Sequence, residues 1–384
     1  MRLITAIITA HHTGIIGMYI HERKDWPEFT WDQATLAKPL ADVRHLQGRL
    51  LGRMEALGFP LREEATLETL TQDVIKTSEI EGEKLDFQQV RSSVARRLGL
   101  DIGGAAVQSP RNVEGIVEIM IDATRNYAKP LSKARLSNWH ASLFPTGRSG
   151  MQRITVGKWR GKDSGSMQVV SGPIGREKVH YEAPSYARLE KEMAAFTKWF
   201  NTKPETDLVL SAALAHFWFV TIHPFDDGNG RIARALADMM LARSEGSSQR
   251  FYSMSSQIQR ERNAYYDVLE RSQKATLDIT PWIEWFLGCL QRAITASDTT
   301  LEFVLAKAKF WKNHAAQSFN VRQRSILNRL LDGGFEGKLT SSKWAKLGKC
   351  SQDTALRDIT DLVERGILLK DDAGGRSTEY HLKH

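Results

Sequence analysis

Residues 222–240 read IHPFDDGNGRIARALADMM, directly after the apolar run LVLSAALAHFWFVTI of residues 208–222. That run has no polar stripe, so it reads as a helix buried on every side. Its end would hold His223 rigidly, and Pro224 forbids simple continuation of the helix. DGNG is loop chemistry: Gly228 and Gly230 allow positive φ and a close backbone approach to a ligand. The next helix is expected to open at about Arg231 and to run over residues 232–244. Its positive N-terminal end would then point into the same loop. Arg231 and Arg234 lie three apart and share a helix face.

These pieces compose a cradle for a polyphosphate. Consecutive N–H groups in a Gly-rich loop form an anion nest. Arginine grips phosphate oxygens as a bidentate fork. Asp227 is a hard-cation ligand, and Mg²⁺ is held by as few as one carboxylate plus substrate phosphates. His223 is a candidate general base, since imidazole titrates near neutrality. HPF alone reads as an ordinary capped loop. In the whole twelve-residue string, each residue fits a phosphate-handling role.

The string HPFDDGNGRIAR resembles the Fic-family signature HxFx(D/E)GNGRxxR at every fixed position. The wider resemblance spans residues 18–384 and implies a mainly α protein: a Fic-type helical core with a β-hairpin flap, followed by a winged-helix domain. It implies a protein adenylyltransferase that uses ATP and Mg²⁺, with a protein Ser, Thr or Tyr hydroxyl as acceptor, the protein itself included. His223 would be the base and Asp227 the Mg²⁺ ligand. Asn229 and the backbone of Gly228 and Gly230 would hold the α-phosphate, Arg231 the β-phosphate and Arg234 the γ-phosphate. Gly230, where the kinase branch of the family usually has Lys, favours AMP transfer.

A second stretch, TSEIEGEKL (residues 77–85), resembles the family's inhibitory motif (S/T)xxxE(G/N) through Thr77, Glu81 and Gly82. Glu81 would pair with Arg234 and occupy the γ-phosphate position. Gly82 reads independently as the C-cap of a helix. The resemblance also places Val170, Ser171, Gly172 and Pro173 on the flap, against nucleotide or target. Tyr265, Tyr266 and Gln273 would lie on the helix lining the adenine pocket. By spacing alone the YY pair reads as core packing. So do Trp282, Trp285 and Phe286, and His216 reads as a buried structural histidine. His140 and His180 show no partner pattern.

The 384 residues carry net charge +8, with 41% hydrophobic and 26% charged residues. This is a soluble globular profile of two or three domains, with a sign that favours anionic ligands. Cys289 and Cys350 are the two cysteines, so a disulfide framework is not expected and a reducing cytoplasm fits. No membrane span is expected.

Four regions are expected: an upstream extension (1–17), an N-terminal helical region (18–105) with the inhibitory helix at about 64–82, the catalytic core (106–300) and a winged helix (320–384). Gly58 and Pro60 are expected to end the first long helix. Ser109 is expected to cap the helix that follows Pro110. QVVSG and EKVHYE read as a hairpin. In the tail, three helical segments precede a hairpin around DDAGG, the winged-helix pattern. Arg357 would sit on its recognition helix, and Lys370 and Arg376 on its wing. From Arg322 to Lys383 the tail holds 12 Lys/Arg against 9 Asp/Glu, a weak footprint for DNA. DNA or protein contact through the tail, a homodimer, a regulator with a sensor core and an AMP-removing hydrolase remain open at this stage.

Overall fold

The computed structural model describes residues 3–8, 18–101, 107–173, 176–203, 205–331, 335, 337–371 and 378–383. The elements in chain order are β1 (Leu3–Ile8), α1 (Gln33–Glu55), α2 (Phe59–Ile80), α3 (Phe87–Leu98), α4 (Arg111–Arg125), α5 (Lys133–Leu143), β2 (Arg148–Ser149) and β3 (Gln152–Arg153). There follow β4 (Ser166–Ser171), β5 (Lys178–Glu182), α6 (Leu189–Asn201), α7 (Leu208–Ile222), α8 (Asn229–Glu245), α9 (Met254–Arg260), α10 (Arg262–Gln273) and α11 (Thr280–Asn313). The last elements are α12 (Val321–Leu331), α13 (Ser341–Gly348), α14 (Gln352–Glu364), β6 (Leu368–Lys370) and β7 (Tyr380–Leu382). The protein is mainly helical, and among the described residues no helix is long and apolar enough to cross a membrane.

The chain divides into two compact units. The first combines residues 1–98 with 108–298, and the second combines residues 99–107 with 299–384.

In the first unit, α7 is the central rod. Asp207 caps it by accepting from the Val209 N–H (2.7 Å), and every residue from Val209 to Ile222 is buried. Having no polar face, it must be surrounded, and α8 is one of its neighbours. Helix α2, which carries Thr77, lies against α3 and α9. A polar cluster helps seat it: Asp73 accepts from the Ser253 hydroxyl (2.5 Å) and the Ser255 N–H (3.4 Å), while Asp238 of α8 pairs with Arg250 at 2.9 Å. Burial and the nearby Asp238 carboxylate raise the Asp73 pKa.

The first sheet has the order β1-β4-β5, all antiparallel, with a register shift between Val169 and Val170. Residues 3–8 of the expected extension are therefore an edge strand, pairing Leu3 with Ser171 through Ile8 with Ser166. Other boundaries differ from expectation. The first long helix ends at Glu55, and Gly58 and Pro60 open α2 instead. Proline suits a first turn, where its missing N–H has no helical partner anyway. Pro110, not Ser109, is the N-cap of α4, and the Ser109 hydroxyl donates to the Gln89 carbonyl at 2.8 Å. Helix α3 was not foreseen, and α8 begins at Asn229, two residues early.

In the second unit α12, α13 and α14 enclose Ile326, Leu327, Trp344, Ile359 and Leu362, with Ile367 and Leu368 beneath them. β6 and β7 form an antiparallel pair, and Tyr380 also bridges Leu339. Asp358 of α14 accepts from Arg322 (2.8 Å) and Asn320 (2.8 Å), tying α14 to the start of α12. Arg357 and Lys370 are exposed, and Arg376 lies outside the described residues.

Candidate active site

The break between α7 and α8 is built by backbone conformation. His223 ends α7 in the left-handed region (φ 52°), and Gly228 opens α8 there (φ 79°). A Cβ on Gly228 would meet Phe144 at 2.9 Å, so glycine is required both for φ and for space. Arg160 fixes the turn. Its Nε donates to the His223 carbonyl (2.8 Å), and its N–H donates to the Pro224 carbonyl (2.9 Å). Asn229 closes the loop from the other side: its amide donates to the Phe225 carbonyl (2.8 Å) and accepts from the Phe225 N–H (3.0 Å). Asp226 is structural, accepting from Ser164 (2.7 Å) and the Thr155 N–H (2.8 Å). His140 lies flat on Phe225, with centroids 4.1 Å apart.

His223 is buried, and its Nδ1 lies 3.0 Å from the Val220 carbonyl. A carbonyl only accepts, so Nδ1 carries the proton and Nε2 keeps its lone pair. Burial lowers the pKa to about 4, against the raising effect of the Val220 bond, so the ring is neutral at pH 7. Asp227 receives the Gly228 N–H on one oxygen (2.6 Å) and the Ser149 hydroxyl on the other. Among the described residues no group of three or more His, Cys, Asp or Glu could hold a metal. A single oriented carboxylate still fits Mg²⁺, which takes its remaining ligands from phosphates and water.

His223, Asp227, Asn229 and Gly230 share a cavity of about 370 Å³ with Glu81, Tyr265, Tyr266 and Gln273. The sheet contributes Val169, His180 and Tyr181 to its wall, while Val170, Ser171, Gly172 and Pro173 do not line it. The register shift after Val169 separates these positions. Val170 is buried, and the Ser171 hydroxyl is 2.6 Å from His180 Nε2. His180 Nδ1 is 2.6 Å from Glu270 of α10, so a Ser171–His180–Glu270 chain fastens the hairpin to the helix across the cavity. Tyr265 is buried against His216, its hydroxyl 2.9 Å from Nε2, and Gln273 donates to Thr221 (3.2 Å).

Arg234 is buried beneath Gly230 and engaged by the end of α2 through its Nε and Nη2, while its Nη1 is buried without a hydrogen-bond partner among the described residues. Its Nε donates to the Thr77 hydroxyl (2.6 Å), and its Nη2 donates to the Thr77 carbonyl (3.0 Å) and to Glu81 (2.7 Å). Burial alone would lower the Arg234 pKa, and the Glu81 carboxylate raises it instead. Gly82, at φ 83°, turns the chain away behind Glu81. A Cβ on Gly230 would sit 2.3 Å from Glu81 Oε1, so the carboxylate lies directly over the first turn of α8. Arg231 is held separately by Glu83 at 3.1 Å and lies over the Phe144 ring.

Sequence reading did not single out Arg160, Ser149, His180, Glu270 or Glu83. Each reaches the site through tertiary contact. His180, lying in a predicted strand beside the cavity, offered the nearest thing to a signal.

Residues 130–241 match the Fic/DOC family, and residues 19–100 match a domain of unknown function, DUF4172. The chain is 37% identical over 115 residues to "Protein adenylyltransferase Fic" of Nematostella vectensis, covering 29% of this chain and 25% of that protein. It is 25% identical over 300 residues to "Protein adenylyltransferase Fic" of Culex quinquefasciatus, covering 75% and 54%. The chain thus spans about half or less of the length of these curated relatives. A solved Fic family protein from Desulfovibrio desulfuricans G20 superposes with TM-score 0.50 at 21% identity, over 93% of this chain and 98% of that one. A Fic domain containing signaling protein from Bacteroides thetaiotaomicron VPI-5482 gives TM-score 0.50 at 19%, over 68% and 97%. The structural likenesses show a shared fold, and the matches together support a Fic family protein.

Proposed function

We propose that this protein transfers AMP from ATP to a hydroxyl side chain of a protein, itself included, and that Glu81 holds the reaction back. One observation carries the reading: a neutral histidine, an oriented carboxylate and the first turn of α8 line one cavity, with Arg234 packed against Gly230 of that turn and Arg231 facing the adjoining cavity. The curated relatives named adenylyltransferase support it. His223 Nε2 takes the proton from the acceptor hydroxyl. That oxygen attacks the α-phosphorus, the bond to the β-phosphate oxygen breaks, and pyrophosphate leaves. His223 finishes protonated and returns the proton to solvent.

The N–H groups at the start of α8 would hold the α-phosphate, Arg231 the β-phosphate and Arg234 the γ-phosphate. Charge neutralisation and positioning supply most of the catalysis in such transfers. Asp227, kept in place by Ser149, would hold Mg²⁺, which when bound neutralises phosphate charge. Tyr265, Tyr266, Gln273 and Val169 would receive the nucleoside. Glu81 and Thr77 together occupy Arg234, the contact from which restraint is inferred.

For the second unit, the helix–helix–helix–hairpin order supports a winged helix. The groove along its α14 is lined by Asp353, Leu356, Arg357, Thr360, Asp361 and Glu364. Three carboxylates against one arginine favour a protein partner over DNA. The decisive test of function is intact-mass spectrometry after incubation with Mg²⁺/ATP, wild type beside Glu81→Gly. The expected result is an added AMP mass that is strong in the variant and weak in wild type. No added mass in the variant, alone or with a cell extract as acceptor, would overturn the proposal.

A further inference from the structure

The second arginine of the motif also has a carboxylate partner, and that pair differs from the first. Glu83 lies one residue past the Gly82 turn, and its N–H donates to the Ser78 carbonyl at 3.0 Å, so the segment is anchored to the end of α2. Its Oε2 accepts from Arg231 Nη1 (3.1 Å), and its Oε1 accepts from the Asn112 amide of α4 (2.9 Å). Both oxygens are therefore directed, and the carboxylate is aimed rather than loose. Glu83, Arg231 and Asp227 line a cavity of about 770 Å³ together with Arg111, Asn112 and Arg148. Glu81 and Asp227 border both this cavity and the one holding His223, so the two adjoin across the first turn of α8.

We infer that Glu83 is a second, weaker gate on the nucleotide, a binding determinant that competes with the β-phosphate for Arg231. The inference rests on the nucleotide reading above and assigns a role to a residue outside the inhibitory motif. The number of contacts separates the two gates. The two carboxylates are similarly exposed, 32% for Glu81 and 38% for Glu83, but Arg234 donates three bonds to Thr77 and Glu81, whereas Arg231 donates one to Glu83. A single contact to a partly exposed carboxylate is the weaker and more screened of the two. A phosphate group offers Arg231 a bidentate, charge-assisted alternative that displaces such a partner readily. Glu83 thus tunes affinity for any nucleotide with a β-phosphate, while Glu81 acts through Arg234, the γ-phosphate contact. The substrate class sensitive to Glu83 includes nucleoside diphosphates as well as triphosphates, and nucleoside monophosphates fall outside it.

Calorimetric titration of AMP, ADP and ATP, each with Mg²⁺, distinguishes the gates. All variants are built on His223→Ala, which removes turnover. Glu83→Gln and Glu83→Ala are expected to tighten ADP and ATP alike, by about fivefold, and to leave AMP within about twofold. Glu81→Gly is expected to favour ATP over ADP. On an added Arg231→Ala, Glu83→Gln should lose its effect, an outcome that a purely structural role for Glu83 would not produce. Unchanged ADP affinity in both Glu83 variants, with ATP still gaining from Glu81→Gly, overturns the second gate alone. No nucleotide binding in any variant overturns the gate and the nucleotide reading together.

Discussion

The α7–α8 break and the α2 end that faces it are held by opposite means. The break is set by packing and by backbone: α7 is buried all round, two left-handed residues shape the turn, and Arg160 and Asn229 staple it from either side. The facing end of α2 holds the site through arginine–carboxylate contacts whose carboxylates keep 32% and 38% of their side-chain surface exposed. Groups that would do chemistry therefore stand on a rigid support, and groups that would restrain it stand where a competing anion can reach them. A buried scaffold is costly to move, whereas a half-exposed ion pair is not.

The largest expected effect tests the rigid side. His223→Ala, combined with Glu81→Gly, should lower AMP transfer by at least about a hundredfold in a labelled-ATP assay. A rate within about tenfold of the Glu81→Gly parent would remove His223 from the role of base and break the comparison at its root. On the restraining side, Glu81→Gly alone should raise self-modification about thirtyfold, the scale of losing a charge-assisted contact to a buried arginine. Equal labelling of wild type and variant would mean that α2 restrains nothing.

A subtler test concerns the hairpin. His180→Ala cuts the Ser171–His180–Glu270 chain and should raise KM for ATP about fivefold, with a smaller change in kcat. An equal fall in kcat with KM unchanged would instead place His180 in the chemical step. The smallest effect is on stability. Burial and Asp238 raise the Asp73 pKa above its unfolded value, so its contribution to stability is present at low pH and is lost as pH rises from the ordinary carboxylate range. Asp73→Asn should therefore raise the melting temperature at pH 8 by about 3 °C and flatten that pH dependence. An unchanged profile would show that the cluster under α2 carries no such linkage.

The string HPFDDGNGRIAR was legible because its polar groups are compressed into twelve residues. Spacing alone puts His223, Asp227, Arg231 and Arg234 around the same helix end. Thr77 and Glu81 were legible only as a resemblance, and their contact with Arg234 crosses more than 150 residues. Arg160 reaches the His223 carbonyl across 63 residues and His180 reaches Glu270 across 90, and no periodicity records such meetings. Residues 170–173 were placed only by resemblance to a flap, and nothing in their spacing records that Val169, on the other side of the register shift, lines the cavity in their stead. Ser109 failed as a cap for a related reason: its hydroxyl found a tertiary acceptor in Gln89.

Gly230 carries a consequence for how this chain can change. The volume that its missing side chain leaves open is filled by the Glu81 carboxylate. Any side chain at 230 would press on that carboxylate, so the first turn of α8 and the end of α2 are free to change only together.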